Sequence, residues 1–237
     1  MQPDHLCRLD ECLREFIREV ELNAEVEIVV VPDARLNAGG PQGAGNPEVA
    51  IRADRIQLFV PTNGYFAGRA VRHEVLHVKR FHVDGVPKLT LADVQNWDRG
   101  FFDALGSLDN AIEHVAIVQM ELQLHPERRE HWEAVMQDVC QGLEDVPERE
   151  RALAVCMHWT FLRSVLPESP QAAVVRRFAA NHGLFEDAER FADLFSVADS
   201  KEEVVRLLVQ TFPQVPWHRA ALEYLNSSTG RRQIEIA

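Results

Sequence analysis

Positive charge is scarce in this chain: 25 Lys and Arg stand against 37 Asp and Glu, a formal net charge of -12. A surface of that sign repels phosphate backbones, which excludes general nucleic-acid binding. Long apolar runs are missing too. No stretch approaches the ~18 residues of a spanning helix, and the start, MQPDHLCRLDEC, has early acids and no signal-peptide core. The expectation is a cytoplasmic protein with no membrane contact. Cysteine is sparse: Cys7, Cys12, Cys140 and Cys156 form no CxxC pair, so neither a cysteine zinc site nor a disulfide framework is expected. The glycine-rich stretch at 38–45 has no following GK[ST], which excludes a P-loop, and no nucleophile elbow occurs. What remains is ordinary globular usage, 46% apolar and 26% charged over 237 residues, enough for one large domain or two small ones.

Periodicity orders the chain. Leu6, Leu9, Leu13, Phe16, Ile17 and Val20 recur at helical spacing, predicting an amphipathic helix over 5–22. The β-branched run at 26–32 predicts a strand, and NAGGPQGAGNP at 37–47 a loop, read as a hairpin or lid. Segments 48–54 and 55–61 read as extended. Thr62 and Asn63 are N-cap types, which predicts a helix over about 64–81. Beyond residue 91 apolar residues recur at three and four in 103–125, 129–142, 148–165, 170–182, 186–197, 201–212 and 217–226, with proline at the joints. The expected class is a helix-rich α+β fold: a small sheet, then a helix carrying the chemistry, then a mainly α-helical C-terminal half. The division is expected near 126, giving regions 1–125 and 126–237, with a single α+β domain as the alternative. Trp97, Trp132, Trp159 and Trp217 are read as packing residues, and ERREHWE at 127–133 as a solvated helix face.

The chemistry concentrates in Arg72-His73-Glu74-Val75-Leu76-His77, an HExxH motif. Residues four apart lie on one helical face, so the His73 and His77 imidazoles can converge on one ion. Glu74 then projects toward the place where a water polarised by that ion would sit, its pKa lowered to roughly 7. Val71, Val75, Leu76 and Val78 supply the apolar surroundings of a buried site helix.

On this motif, following a strand, residues 48–121 resemble the zincin metallopeptidases. The second residue after the motif, usually apolar in zincins, is Lys79 here. The metzincin continuation, Gly and His three and six places past the second histidine, is absent: Arg80 and Val83 stand there, with His82 one place short. Farther on, Asp109 and Glu113 share a helical face among Leu108, Ile112, Val115 and Ala116. A glutamate on a second helix is the gluzincin arrangement, and that likeness implies Glu113 as third ligand, with Asp109 orienting a histidine through its other ring nitrogen. His114 as a third histidine ligand, or Asp109 ligating directly, stay open as alternatives. Tyr65, His82 and His125 are residue types able to stabilise an oxyanion.

The resemblance implies a zinc-dependent metallohydrolase, a peptidase of narrow specificity with His73, His77 and Glu113 holding Zn2+. Glu74 would be general base to a metal-bound water and then proton donor to the leaving amine. Its substrate would be a peptide or protein laid along the strand at 55–60, were that strand an edge, and the helical half would be free to bind a protein partner. The alternative is a non-catalytic, zincin-derived regulatory or protein-binding module of a larger bacterial system.

Overall fold

The computed structural model describes residues 1–38, 47–92, 95, 97–226 and 230–236. Most of the loop expected at 37–47 lies outside them. Helices dominate, accompanied by two three-stranded sheets, which is the helix-rich α+β class. The chain forms two compact units, Met1–Lys88 with Leu222–Ile234, and Leu89–Ala221 with Glu235–Ala237. The expected division near 126 differs from this one. The long helix ending at Leu124 groups with the helices after it because it packs on one of them.

In the first unit the helix expected over 5–22 is two, α1 (Pro3–Leu6) and α2 (Glu11–Ala24). The break comes from Asp10, whose Oδ1 accepts the Leu13 N–H at 2.8 Å and so caps a new start. Strands β1 (Ile28–Asp33), β2 (Glu48–Arg52) and β3 (Arg55–Pro61) follow. Their order is β1-β3-β2, with β1 parallel to β3 from Ile28 opposite Ile56, and β2 antiparallel to it from Glu48 opposite Phe59. Helix α3 (Gly68–Val78) starts later than predicted. Thr62 and Asn63 lie before its N-cap, Ala67: Asn63 Oδ1 accepts the Tyr65 N–H at 3.0 Å and Thr62 Oγ1 accepts from Asn37 Nδ2 at 2.7 Å. The core joins Leu13, Ile17 and Val20 of α2 to Ile28, Ile56 and Leu58 of the sheet and to Val71, Val75 and Val78 of α3. That apolar stripe, spaced three and four apart, fixes which face of α3 turns inward.

The second unit holds α4 (Arg99–Leu124), α5 (Arg129–Gly142), α6 (Glu148–Val165), α7 (Pro170–Asn181), α8 (Phe185–Ser196) and α9 (Lys201–Thr211). Asp98, Ser169 and Ser200 cap α4, α7 and α9 through their side chains. Helix α6 is central, packing on α4, α7 and α8. Strand β4 (Lys88–Leu91) lies where the sequence predicts no element. Residues 217–226 are not helical either: a 3-10 turn at Trp217–Arg219 leads into β5 (Ala220–Asn226), followed by β6 (Gly230–Glu235). The second sheet has the order β4-β5-β6, and the Ala92 N–H, donating to the Arg219 carbonyl at 2.8 Å, shows why 217–226 extends. Of the four tryptophans, Trp132, Trp159 and Trp217 are buried, whereas Trp97 is exposed and lies against Phe102.

One titration follows from α6. Burial pushes the His158 imidazole down from 6.5 to about 4. A histidine held neutral in the fold takes up a proton more readily when unfolded, so its contribution is intact above pH 6.5 and is lost as pH falls toward 4. For a partly accessible group this loss is about 2 kcal/mol. Urea midpoints at pH 7 and pH 4.5 should therefore lie closer together in His158→Gln than in the wild type; an unchanged gap would rule the residue out as a source of acid sensitivity.

Candidate metal centre

Helix α3 turns both motif histidines inward: His73 and His77 are each under a tenth exposed. Their rings meet edge to face with centroids 5.1 Å apart. Each offers a ring nitrogen no more than 4.8 Å from one on the other. Two zinc–nitrogen bonds of about 2.0–2.1 Å span up to about 4.2 Å, so modest side-chain rotation lets the pair share an ion. His77 also lies against Phe81, which belongs to a π-helical turn, Lys79–Val83, extending α3. Lys79 points away to an ion pair with Asp84 at 2.6 Å, so a charge is accommodated where zincins carry an apolar residue.

Glu74 is half-buried, and its Oε2 accepts the Val49 N–H at 3.2 Å. Val49 belongs to β2, whose other side pairs with β3, so this carboxylate stands at the outer edge of the sheet. The strand at 55–60 is not an edge: β3 is held by β1 on one side and β2 on the other. The parallel pairing with β1, a contact between distant segments, closes the side that the sequence left open.

In the second unit, Asp109 and Glu113 share a face of α4 as expected, but that face is occupied by a cation. Lys201 Nζ, at the start of α9, lies 2.6 Å from Asp109 Oδ1 and 2.9 Å from Glu113 Oε1. All three side chains are essentially inaccessible. Asp109 Oδ1 also accepts the Leu89 N–H at 2.6 Å, tying β4 to α4. Burial raises the Asp109 carboxyl above its ordinary value, against the pull of Lys201 and of the Leu89 N–H. The structure thus gives Asp109 and Glu113 an ammonium partner that sequence reading missed.

His114 is the next residue, rotated by about 100° around the helix from Glu113. Its ring meets Trp132 of α5 edge to face, centroids 5.1 Å apart. The Trp132 Nε1–H donates to Glu121 Oε2 at 2.9 Å, and Arg128 Nε–H donates to Glu121 Oε1 at 2.7 Å. Part of the segment read as a solvated face therefore reaches inward, drawn by a buried glutamate two turns past His114. Of the oxyanion residue types, His82 is engaged through Nε2 with the Arg52 carbonyl at 3.1 Å, and burial lowers its pKa. His125 pairs with Glu127, and Tyr65 is exposed.

Cys156 is buried and its thiol pushed up to about 12, which leaves it inert as a nucleophile at neutral pH. Compared with family models, curated proteins and solved structures, the chain matches none.

Proposed function

We propose that this protein is a zinc-dependent metallohydrolase, a peptidase of narrow specificity acting from the cytoplasm. The observation that carries the reading is the joint placement on α3 of two buried, mutually facing histidines and of a glutamate at the outer edge of β2. Two imidazoles in an apolar setting suit zinc, which favours nitrogen donors. His73 and His77 would hold the ion. Glu113, the third ligand that the zincin resemblance implies, already faces Lys201.

When bound, the ion would supply Lewis-acid chemistry, acidifying a water and polarising a carbonyl. Glu74 takes the proton of the attacking water as that oxygen joins the carbonyl carbon, then delivers it to the leaving amine as the C–N bond breaks. The Val49 N–H holds the carboxylate in orientation for both transfers. An extended peptide adding to the outer edge of β2 would lie beside Glu74. The helical unit offers a protein partner its acidic surface. No helix among the described residues is long and apolar enough to cross a membrane, and the four cysteines are free thiols, as a reducing compartment favours.

Metal analysis is the direct test. Protein purified without chelator should carry about one zinc per chain, and His77→Ala should lower its zinc affinity by at least about 100-fold, as loss of a ligand does. Absence of stoichiometric metal in the wild type would overturn the proposal. Metal without cleavage of any peptide would leave the ion structural and make the protein a binding module.

A further inference from the structure

Within the second unit, α6, α8 and the end of α9 wall a cavity of about 410 Å³. That volume falls in the roughly 300–1,000 Å³ range of small-molecule sites. Its depth is apolar. Cys156, Phe191 and Phe212 line it and are almost wholly buried, with the two phenyl rings at centroids 5.7 Å apart. Its mouth is polar, formed by the exposed side chains of Asp187, Arg190, Thr211 and Gln214. An apolar interior with a few polar groups at one end accepts a ligand that has an apolar body and one charged or polar head.

The chemistry of the mouth selects the head. Thr211 Oγ1–H donates to the Leu207 carbonyl at 2.8 Å, so its hydroxyl meets a ligand only as an acceptor. Asp187 is acceptor-only, and its Oδ1 faces Arg190 Nη1 at 3.2 Å, which leaves Oδ2 to take a donor from the ligand. Gln214 adds a carbonyl oxygen. Arg190 is the one mouth group of positive charge, and Asp187 neutralises it. Burial first, and the negative field of Asp187 after it, keep the Cys156 thiol protonated, so that field reaches the depth of the cavity. The chain as a whole, at -12, attracts cations and repels anions. We propose that this cavity binds a primary amine carried on a compact apolar body, with the body against Phe191 and Phe212 and the ammonium at Asp187 and Thr211. Such binding requires neither the zinc nor the hydrolysis proposed above.

The experiment is calorimetric titration of the full chain with phenethylamine, set against hydrocinnamate and phenethyl alcohol, an acid and a neutral alcohol of similar size. The amine should bind with a Kd of about 1 mM or tighter, and the other two at least about threefold more weakly. Asp187→Asn should weaken the amine about threefold to tenfold and, by leaving Arg190 uncompensated, make hydrocinnamate the better ligand. Arg190→Gln should act in the opposite direction, strengthening the amine about twofold. Both side chains are more than half exposed, so neither variant should disturb the fold. Ala152→Leu, which adds volume to the cavity wall, should abolish binding of the amine. No binding of phenethylamine at millimolar concentration would overturn the proposal. So would hydrocinnamate binding the wild type as tightly as the amine, or an amine affinity that neither charge variant moves. Should Ala152→Leu fail to fold, the two charge variants decide alone; should it fold and bind the amine like the wild type, the amine sits elsewhere and the cavity is not its site.

Discussion

Lys201→Met should destabilise the protein by about 3–5 kcal/mol, the range expected when one member of a buried ionic group is removed and its partners stay behind. The size follows from geometry: the ammonium is within 2.9 Å of two carboxylate oxygens, and none of the three side chains has appreciable access to water. Methionine fills the volume of the lysine stem but leaves Asp109 and Glu113 facing each other across an apolar gap. The loss should depend on pH in a direction that can be worked out. Removing the cation takes away the pull of Lys201 that lowers the Asp109 carboxyl, so the folded variant holds a proton there that the unfolded chain releases. Its stability deficit is then smallest below the unfolded carboxyl value of about 4 and grows as pH rises toward neutrality. Urea unfolding at pH 4 and pH 7.5 reads this directly. Adding Asp109→Asn and Glu113→Gln removes the stranded charges, while the asparagine amide oxygen keeps an acceptor for the Leu89 N–H, and should recover roughly half of the loss. A Lys201→Met protein as stable as the wild type at pH 7.5 would show that the group contributes nothing net.

Glu74→Gln should lower peptide hydrolysis by about 10²- to 10⁴-fold, the usual contribution of a positioned general base. The substitution is nearly isosteric, and the glutamine carbonyl can still accept the Val49 N–H, so the fold and the His73–His77 pair should be undisturbed. Zinc content should therefore equal that of the wild type. Incubating both proteins with a random peptide library and reading the products by mass spectrometry measures activity on any sequence the site accepts. The pairing of outcomes is what matters. Retained zinc with lost cleavage assigns the proton transfer to Glu74, whereas cleavage within a fewfold of the wild type would remove the residue from the mechanism.

Local patterns carried much of the architecture. The helices α5 and α6 run over 129–142 and 148–165 as apolar spacing and the proline at 147 predict, because each buries a stripe whose period is visible in the residues themselves. The paired histidines of α3 were legible for the same reason. What was not legible depended on partners distant in the chain. Glu113 and His114 are adjacent, and nothing in their neighbourhood tells which faces an ammonium; the deciding residue, Lys201, lies at the first turn of a helix with no sequence signal linking it to α4. Glu121, within reach of Arg128 and Trp132, was hidden in a helix whose other acids are ordinary. Strand β5 and the turn before it carry apolar residues at 217, 220, 221 and 225, a spacing that satisfies a helix as well as a strand, and pairing with other strands decided between them. The central place of β3 was likewise set by β1, not by β3's own residues.

The strand that reads as helix has a temporal consequence. Leu225 belongs to the same apolar core as Leu13, Ile28 and Val71, yet the residues of the second unit, Leu89–Ala221, are made between them. At ~5–20 residues per second, a ribosome takes roughly 7–27 s to cover that interval. Through that time the nascent first unit is missing a buried leucine and the strand that carries it, so its final consolidation must follow synthesis of the helices that interrupt it.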